Sequence, residues 1–294
     1  MLTQEQISDW KKSGRISADA LQYGKSLIKK GSSMLEVLDK IEAKIKELGG
    51  DIAFPAQISL NEVAAHFCPE DDDNTILEDQ VASLDIGAHV NGCVTDNALT
   101  VDLSGKYSEL VKASEEALKE VMKNLQIGIE IGEIGKMIEE VILSYGYKPV
   151  RNLSGHGLGI YNVHIPPNIP NCANLNKQKL EKGMVIAIEP FASTGAGVVV
   201  EKGNATVFSL LQARSVRTAM VRDVLKEIEK YKELPFTIRW LCKKFSKAQV
   251  NYALKQLQQA NIIKGYPPLV DRANGIVSQS EKSFLIDEKV EVLT

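Results

Sequence analysis

The chain contains the run Val81-Ala-Ser-Leu-Asp-Ile-Gly-Ala-His-Val90, then Asn91-Gly92, then Cys93-Val-Thr-Asp-Asn-Ala-Leu-Thr-Val101. Asn-Gly between two alternating apolar runs favours a β-hairpin with a two-residue turn. In that register Asp85 faces Ala98, and Asp96 lies two residues along the strand from Ala98. Because side chains alternate between the two faces of a strand, Asp85 and Asp96 emerge on the same face. Two fixed carboxylates repel each other unless a cation lies between them, so the hairpin predicts one edge of a metal site.

Composition and charge are those of an ordinary globular protein. The 294 residues are 44% hydrophobic and 25% charged, and the net charge of -3 argues against a general binder of polyanions. The four cysteines form no C-x-x-C pair, which favours reduced thiols. The N-terminal segment is polar, and no run approaches the ~18 apolar residues that a membrane span needs. We therefore expect a cytoplasmic protein that binds no membrane.

An internal repeat is indicated when the chain is shifted by 97 positions. Six residues in the 19 positions from 31 to 49 then find identical partners: Gly31, Glu36, Ile41, Glu42, Ile45 and Gly49. A chance match between two amphipathic helices is the alternative explanation. A real repeat predicts two similar halves, each a helix followed by strands, related by an approximate two-fold axis. Such a fold places its site at the junction, with residues contributed by both halves.

Three further residues extend the predicted metal site. His156 lies between two glycines, Glu189 follows the apolar run 183–188, and Glu281 lies in an extended segment. A lone histidine is usually structural, as we interpret His89, but His156 accompanies four carboxylates. Four carboxylates and one imidazole suit Mn, Fe(II) or Co, and zinc would also fit. Two such ions can polarise a carbonyl and activate water, which is the chemistry of amide or ester hydrolysis.

Residues 208–268 differ in charge from the rest of the chain. They contain 12 Lys and Arg against four Asp and Glu, a net charge of +8, which leaves -11 for the remainder. Helical spacing predicts helices at about 209–231, 237–244 and 246–260. Residues 274–286 return to a strand pattern. A small helical module is therefore predicted between two strands of the main sheet.

These features together resemble the "pita-bread" metallopeptidases of family M24, and type II methionine aminopeptidases in particular. The motifs that carry the resemblance are Phe54-Pro-Ala-Gln-Ile-Ser-Leu-Asn-Glu-Val-Ala-Ala-His66, Leu153-Ser-Gly-His156, Val163-His164 and Ala187-Ile-Glu-Pro-Phe-Ala-Ser-Thr-Gly195. The resemblance implies an α+β, pita-bread fold, with a pseudo-two-fold curved antiparallel sheet covered by helices. It also implies a catalytic domain of residues 1–207 and 269–294 and an inserted, winged-helix-like subdomain of residues 208–268. The similar form is the archaeal one, without a long N-terminal extension.

The resemblance also implies roles for individual residues. Five side chains would hold two divalent ions of Co, Mn, Fe or Zn: Asp85, Asp96, His156, Glu189 and Glu281. Asp85 would bind one ion, Asp96 and Glu281 both, and His156 and Glu189 the second. Glu189 would also accept a proton from the attacking water.

Substrate contacts are implied in the same way. His66 and His164 would contact substrate and stabilise the tetrahedral intermediate, and Phe54 and Val163 would line the methionine pocket. Lys282 is a departure, because the family usually has histidine after its last glutamate. Strand alternation sends residue 282 away from the face of Glu281, so this departure concerns the surroundings of the ligands rather than the catalytic set.

The expected reaction is removal of the initiator methionine from nascent chains, with small second residues preferred. A prolidase of the same fold is one alternative, although prolidases usually carry an additional N-terminal domain. A catalytically dead relative that binds RNA or the ribosome is another, motivated by the basic module. Dead relatives typically lose metal ligands, and all five are present here. We expect a monomer that does not bind DNA and contacts the ribosome transiently through the basic insert.

Overall fold

The computed structural model describes residues 2–294, which form helices and antiparallel strands. The helices are α1 (Gln4–Leu27), α2 (Met34–Glu47), α3 (Ser108–Asn124), α4 (Ile131–Ser144), α5 (Ala219–Ile228), α6 (Ile238–Cys242) and α7 (Lys247–Gln259). The strands are β1 (Asp51–Leu60), β2 (Val63–Ala65), β3 (Val81–Val90), β4 (Cys93–Asp102), β5 (Lys148–Pro149), β6 (Ser154–Gly157), β7 (Ile165–Pro170), β8 (Met184–Ile188), β9 (Phe191–Ser193), β10 (Val199–Glu201), β11 (Val207–Leu210), β12 (Phe236–Thr237), β13 (Ile263–Tyr266), β14 (Leu269–Asp271), β15 (Val277–Gln279), β16 (Lys282–Ile286) and β17 (Val290–Val292). Within residues 2–294, no helix is long and apolar enough to cross a membrane.

The predicted hairpin is confirmed as β3 and β4. Val90 pairs with Cys93 and Asp85 pairs with Ala98, so the turn lies at Asn91-Gly92. Asn91 and Gly92 have φ angles of 50° and 88°, and positive φ at both central residues is the geometry of a type I′ turn. The register predicted from the sequence is therefore the observed one.

The predicted repeat is also confirmed. The bounds of α4 are those of α2 shifted by 97 positions. Gly49 and Gly146, which follow these two helices, have φ angles of 86° and 81°, a left-handed conformation that glycine adopts without strain. Strand β1 corresponds in the same shift to the span from β5 to β6. The two halves thus repeat the order of helix and strand.

Each half has its own hydrophobic core. In the first, α1 and α2 pack on the sheet β1-β3-β4, and in the second, α3 and α4 pack against strands of the second half. The second half contains the sheet β17-β16-β8-β6-β7. The halves join at a backbone pair, in which the Glu281 N–H donates to the Ala98 carbonyl over 3.0 Å and the Ala98 N–H donates back over 3.4 Å. This junction brings one end of β16 beside the middle of β4.

Between β10 and β14, the chain forms a small sheet as well as helices. Strand β11 pairs with β12 and β13, and a separate hydrophobic cluster joins this sheet to α5, α6 and α7. The prediction of a helix from about residue 209 is wrong at its start, because 207–210 is a strand and α5 begins at Ala219. Pairing of β11 with β13, more than 50 residues away, overrides the local helical spacing. The flanking strands β10 and β14 pair with each other, so the segment leaves the main fold and returns to it.

Candidate active site

A cavity of about 230 Å³ lies where the two halves meet the segment between β10 and β14. All nine residues proposed from the sequence for the site line it: Phe54, His66, Asp85, Asp96, His156, Val163, His164, Glu189 and Glu281. The hairpin supplies Asp85 from β3 and Asp96 from β4. The second half supplies His156 from β6, Glu189 directly after β8, and Glu281 between β15 and β16. The structure therefore brings together residues that are up to 227 positions apart in the chain.

The five proposed ligand residues form a close cluster. The His156 Nε2 atom lies 3.7 Å from Asp96 Oδ2 and 3.6 Å from Glu189 Oε1. Asp96, His156 and Glu281 each offer a ligand atom, and these atoms lie within 4.8 Å of one another. Among Asp96, His156 and Glu189, Glu189 is the most exposed: 14% of its side chain is accessible, against 6% for Asp96 and 5% for His156. Glu189 thus faces the open part of the cavity.

Buried oxygens in this cluster lack hydrogen-bond donors. Asp85 Oδ1, Asp96 Oδ1 and Glu281 Oε1 are buried and have no partner in the part of the chain that the structure describes. Burial raises the pKa of Asp85 to about 7. Burial, and then neighbouring carboxylates, hold the pKa of Asp96 and of Glu281 well above their ordinary values. Unpaired buried carboxylates are costly, and a divalent cation among oxygen donors with one imidazole removes that cost. The residues present fit a metal site.

The carboxylates are held by a second group of residues that the sequence did not single out. Gln279 Nε2 lies 3.3 Å from Glu281 Oε2 and 3.5 Å from Glu189 Oε2, so one amide donates to two carboxylates. The Ser283 hydroxyl accepts from the Asp96 N–H at 2.8 Å and donates to the Asp96 carbonyl at 2.7 Å. Gln279 could have been found by parity, because it lies two residues before Glu281 in an extended segment.

Two further histidines, His66 and His164, line the same cavity. The His156 and His164 rings lie 4.1 Å apart between centroids, and the His66 ring meets the edge of Tyr266 at 5.6 Å. Burial, followed by the charge of His164, lowers the pKa of His66 to about 4. The His164 residue is partly open to solvent, yet desolvation, followed by the charge of Lys264, lowers its pKa to about 4 as well. Both imidazoles are therefore neutral at pH 7 and keep one N–H donor each.

The apolar wall of the cavity includes Phe54 and Val163, which are 5% and 4% exposed. Strand β1 is irregular here, since Phe54 pairs with Gly87 whereas Gln57 pairs with Asp85. Three steps on β1 therefore match two on β3, which is the count of a β-bulge. Simple alternation would send Phe54 and Gln57 to opposite faces, but both line the cavity. The sequence analysis singled out neither Gln57, whose place on this face depends on the bulge, nor Tyr266, which carried no local signal.

Comparisons with known proteins agree with this geometry. The model of metallopeptidase family M24 matches residues 8–221. A methionine aminopeptidase of Methanocaldococcus jannaschii is 45% identical over 284 residues, which is 96% of each chain, and one of Archaeoglobus fulgidus is 44% identical over 94% of this chain and 93% of that protein. The solved structure of a methionine aminopeptidase from Thermotoga maritima superposes with a TM-score of 0.73 at 24% identity, covering 100% of this chain and 98% of that one. These methionine aminopeptidases share the pita-bread fold, as predicted.

Proposed function

The chain belongs to metallopeptidase family M24, and we propose from this membership and from the cavity that it removes the N-terminal methionine of nascent proteins. The observation that carries the proposal is the cluster of four carboxylates and one imidazole, three of whose buried oxygens lack donors in the described chain. The reaction is hydrolysis of the peptide bond that follows the methionine. Small second residues are preferred, because bulk at that position would crowd the carboxylates.

The enzyme uses divalent metal, in keeping with its family. We propose two ions, from among Co, Mn, Fe and Zn, with Asp85 on one and His156 and Glu189 on the other. Asp96 and Glu281 would bind both. When bound, the ions supply Lewis acidity, which activates water and polarises the scissile carbonyl. The oxygen-rich donor set supports this assignment.

Glu189 is the proposed proton acceptor. Its side chain is the more exposed of the carboxylates compared above, so it can approach a water molecule in the open part of the cavity. A base must lie within hydrogen-bond reach of the proton that it takes, and the same carboxyl group can then return that proton to the leaving amine. The Gln279 amide holds Glu189 in this orientation.

His66 and His164 are proposed to bind the scissile carbonyl. Because both imidazoles are neutral at pH 7, each can donate one N–H to the oxygen as it gains negative charge. His66 has a φ angle of 64°, a strained conformation for a residue with a side chain, and such strain is common where a side chain is aimed at a site. Phe54 and Val163 would receive the methionine side chain, whose unbranched thioether suits an apolar pocket.

The first experiment compares Met-Ala-Ser with an X-Pro dipeptide as substrates. We expect the methionine peptide to be cleaved faster, and a preference for X-Pro would instead assign the chain to the prolidases. Asp96→Ala should lose bound metal and more than about 100-fold in kcat/KM, since it removes a ligand rather than a supporting residue. Full activity in this variant would contradict the assignment of the metal ligands. A catalytically dead binding protein is the outcome if neither peptide is cleaved.

A ribosome contact through the insert is the proposed partner interaction. We propose residues 208–268 as an inserted subdomain and 1–207 with 269–294 as the catalytic domain. Exposed Lys243 and Lys244 line a second cavity of about 640 Å³ together with Tyr231 and Trp240. Lysine charge beside aromatic rings suits the phosphates and bases of RNA. Such a contact would place the reaction in the cytoplasm, where nascent chains emerge.

Sedimentation with ribosomes at low and high salt tests this contact. Charge reversal of Lys243 and Lys244 to glutamate should abolish a salt-sensitive association. Lys112 and Lys119, exposed on α3 of the catalytic domain, provide the matched control, and their reversal should leave binding unchanged. Equal loss in both variants, or binding that does not depend on salt, would contradict a specific contact through the insert.

A further inference from the structure

Gln57 is a buried polar residue in the active-site cavity to which the proposed mechanism gives no role. It is 6% exposed and lies on β1 directly opposite Asp85 of β3. Directly opposed residues of an antiparallel pair have Cβ atoms about 4.5–5.5 Å apart on the same face. The Gln57 side chain is therefore a neighbour of the Asp85 side chain, and both line the cavity.

An irregularity in strand β1 directs the Gln57 side chain into the cavity. The bulge between Phe54 and Gln57 puts both residues on the cavity face, which regular alternation would not do. A bulge disrupts the hydrogen bonding between the two strands. Bulges are therefore found where the redirected side chain has a use. The freed Ala56 N–H is not left without a partner, since it donates to Glu42 Oε1 over 3.3 Å. The bulge is thus supported from behind by a buried carboxylate.

The Gln57 carbonyl lacks a donor. Its Oε1 atom is buried and has no hydrogen-bond partner among residues 2–294. Burying an amide oxygen without a hydrogen-bond partner destabilises the folded protein, so an oxygen kept in this state at a cavity indicates a ligand with a donor. The neighbouring Asp85 carboxylate cannot be the partner of this oxygen, because an ionised carboxylate and an amide oxygen both only accept hydrogen bonds.

An N-terminal methionine offers such a donor at the required place. Its side chain would lie against Phe54, three residues from Gln57, and its amino group is attached one carbon from that side chain. We propose that the side-chain carbonyl of Gln57 accepts a hydrogen bond from the amino group of the substrate's N-terminal methionine. The inference rests on the proposed function. In this arrangement Gln57 is a specificity residue, because it favours peptides whose methionine carries a free amino group over peptides in which the methionine is an interior residue.

The experiment combines a change in the protein with a change in the ligand. Calorimetry on the full chain loaded with Mn²⁺ measures the Kd of L-methionine and of 4-(methylthio)butanoate, which has the same side chain but no amino group. Gln57→Met keeps the length of the side chain and removes its acceptor. The preference for methionine over the analogue should fall by about 10-fold or more in this variant, because hydrogen bonds to charged groups contribute more than neutral ones.

Two further variants keep the result decisive. Ser59→Ala removes a buried hydroxyl from the same strand outside the cavity and should leave the preference unchanged. Gln57→Asn withdraws the carbonyl by one methylene and serves the same comparison if circular dichroism shows that Gln57→Met does not fold. An unchanged preference, or an equal loss of affinity for both ligands, would overturn the proposal. Hydrolysis of Met-Ala-Ser by the wild type is measured in parallel: its absence would refute the proposed function, whereas its presence with an unchanged preference refutes only the role of Gln57.

Discussion

Arg239→Met is expected to destabilise the protein strongly, because Arg239 is the buried link between the insert and the first half. Arg239 is 3% exposed and Glu42 of α2 is 4% exposed. The guanidinium donates to Glu42 Oε1 at 2.6 Å and to Glu42 Oε2 at 3.0 Å, and to Asp39 Oδ1 at 2.6 Å. Glu42 also accepts from the Trp240 indole at 3.0 Å and from the Ala56 N–H at 3.3 Å.

The magnitude follows from what the substitution leaves behind. Removing Arg239 leaves the buried Glu42 carboxylate without a positive partner, and breaking a buried ion pair in this way lowers the free energy of unfolding by about 3–5 kcal/mol. The Asp39 side chain is 50% exposed, so its pairing contributes at most about 1 kcal/mol. The Tm should fall by roughly 6–10 °C at about 2 °C per kcal/mol for a chain of this size. Asp39→Asn should change stability little.

Urea unfolding of the metal-loaded protein measures these differences. The double variant Arg239→Met with Glu42→Gln should recover most of the lost stability, since it buries no charge and the glutamine carbonyl can still accept from Ala56 or Trp240. The reasoning fails if Arg239→Met unfolds within 1 kcal/mol of the wild type, or if the double variant is no more stable than the single one.

Three more outcomes follow from other parts of the structure. Gly87→Ala places a Cβ 2.2 Å from the Phe54 ring, which must then move, so KM for methionine peptides should rise several-fold. In the control Gly159→Ala the nearest atoms lie 3.4 Å from the new Cβ, and KM should not change. Equal effects of the two substitutions on KM would contradict this. Burial lowers the pKa of His89, so the unfolded chain binds more protons than the folded one below pH ~6.5, and His89 makes the protein less stable as the pH falls, by at most about 1.4 kcal/mol per pH unit. His89→Gln should therefore reduce the slope of urea-derived stability between pH 7 and 5.5, to which the other histidines of lowered pKa also contribute, and an unchanged slope would refute this. Gln279→Met should weaken Mn²⁺ binding by about 10–100-fold in calorimetry, and unchanged affinity would remove its positioning role.

Much of the architecture was predictable because it depends on short-range rules. Asn91-Gly92 requires a tight turn, the turn sets the pairing of β3 with β4, and alternation then places Asp85 and Asp96 on one face. The repeat was detectable because α2 and α4 have the same length and are followed by equivalent glycines. Residue chemistry was sufficient to nominate the carboxylates and His156 as a group. None of these steps needs contacts between distant parts of the chain.

The tertiary structure alone decided how these parts meet. The place of Gln57 on the cavity face was not predictable from local alternation, because the β1 bulge depends on pairing with β3 and is accompanied by the hydrogen bond from Ala56 to the Glu42 carboxylate. Residues 209 and 210, at the start of the predicted helix, instead belong to strand β11, which is formed by long-range pairing with β13. The backbone pair of Ala98 with Glu281 joins residues 183 positions apart, and only that junction completes the cavity. A local pattern determines which face a side chain takes within a regular element, whereas bulges and junctions depend on partners that the pattern does not contain.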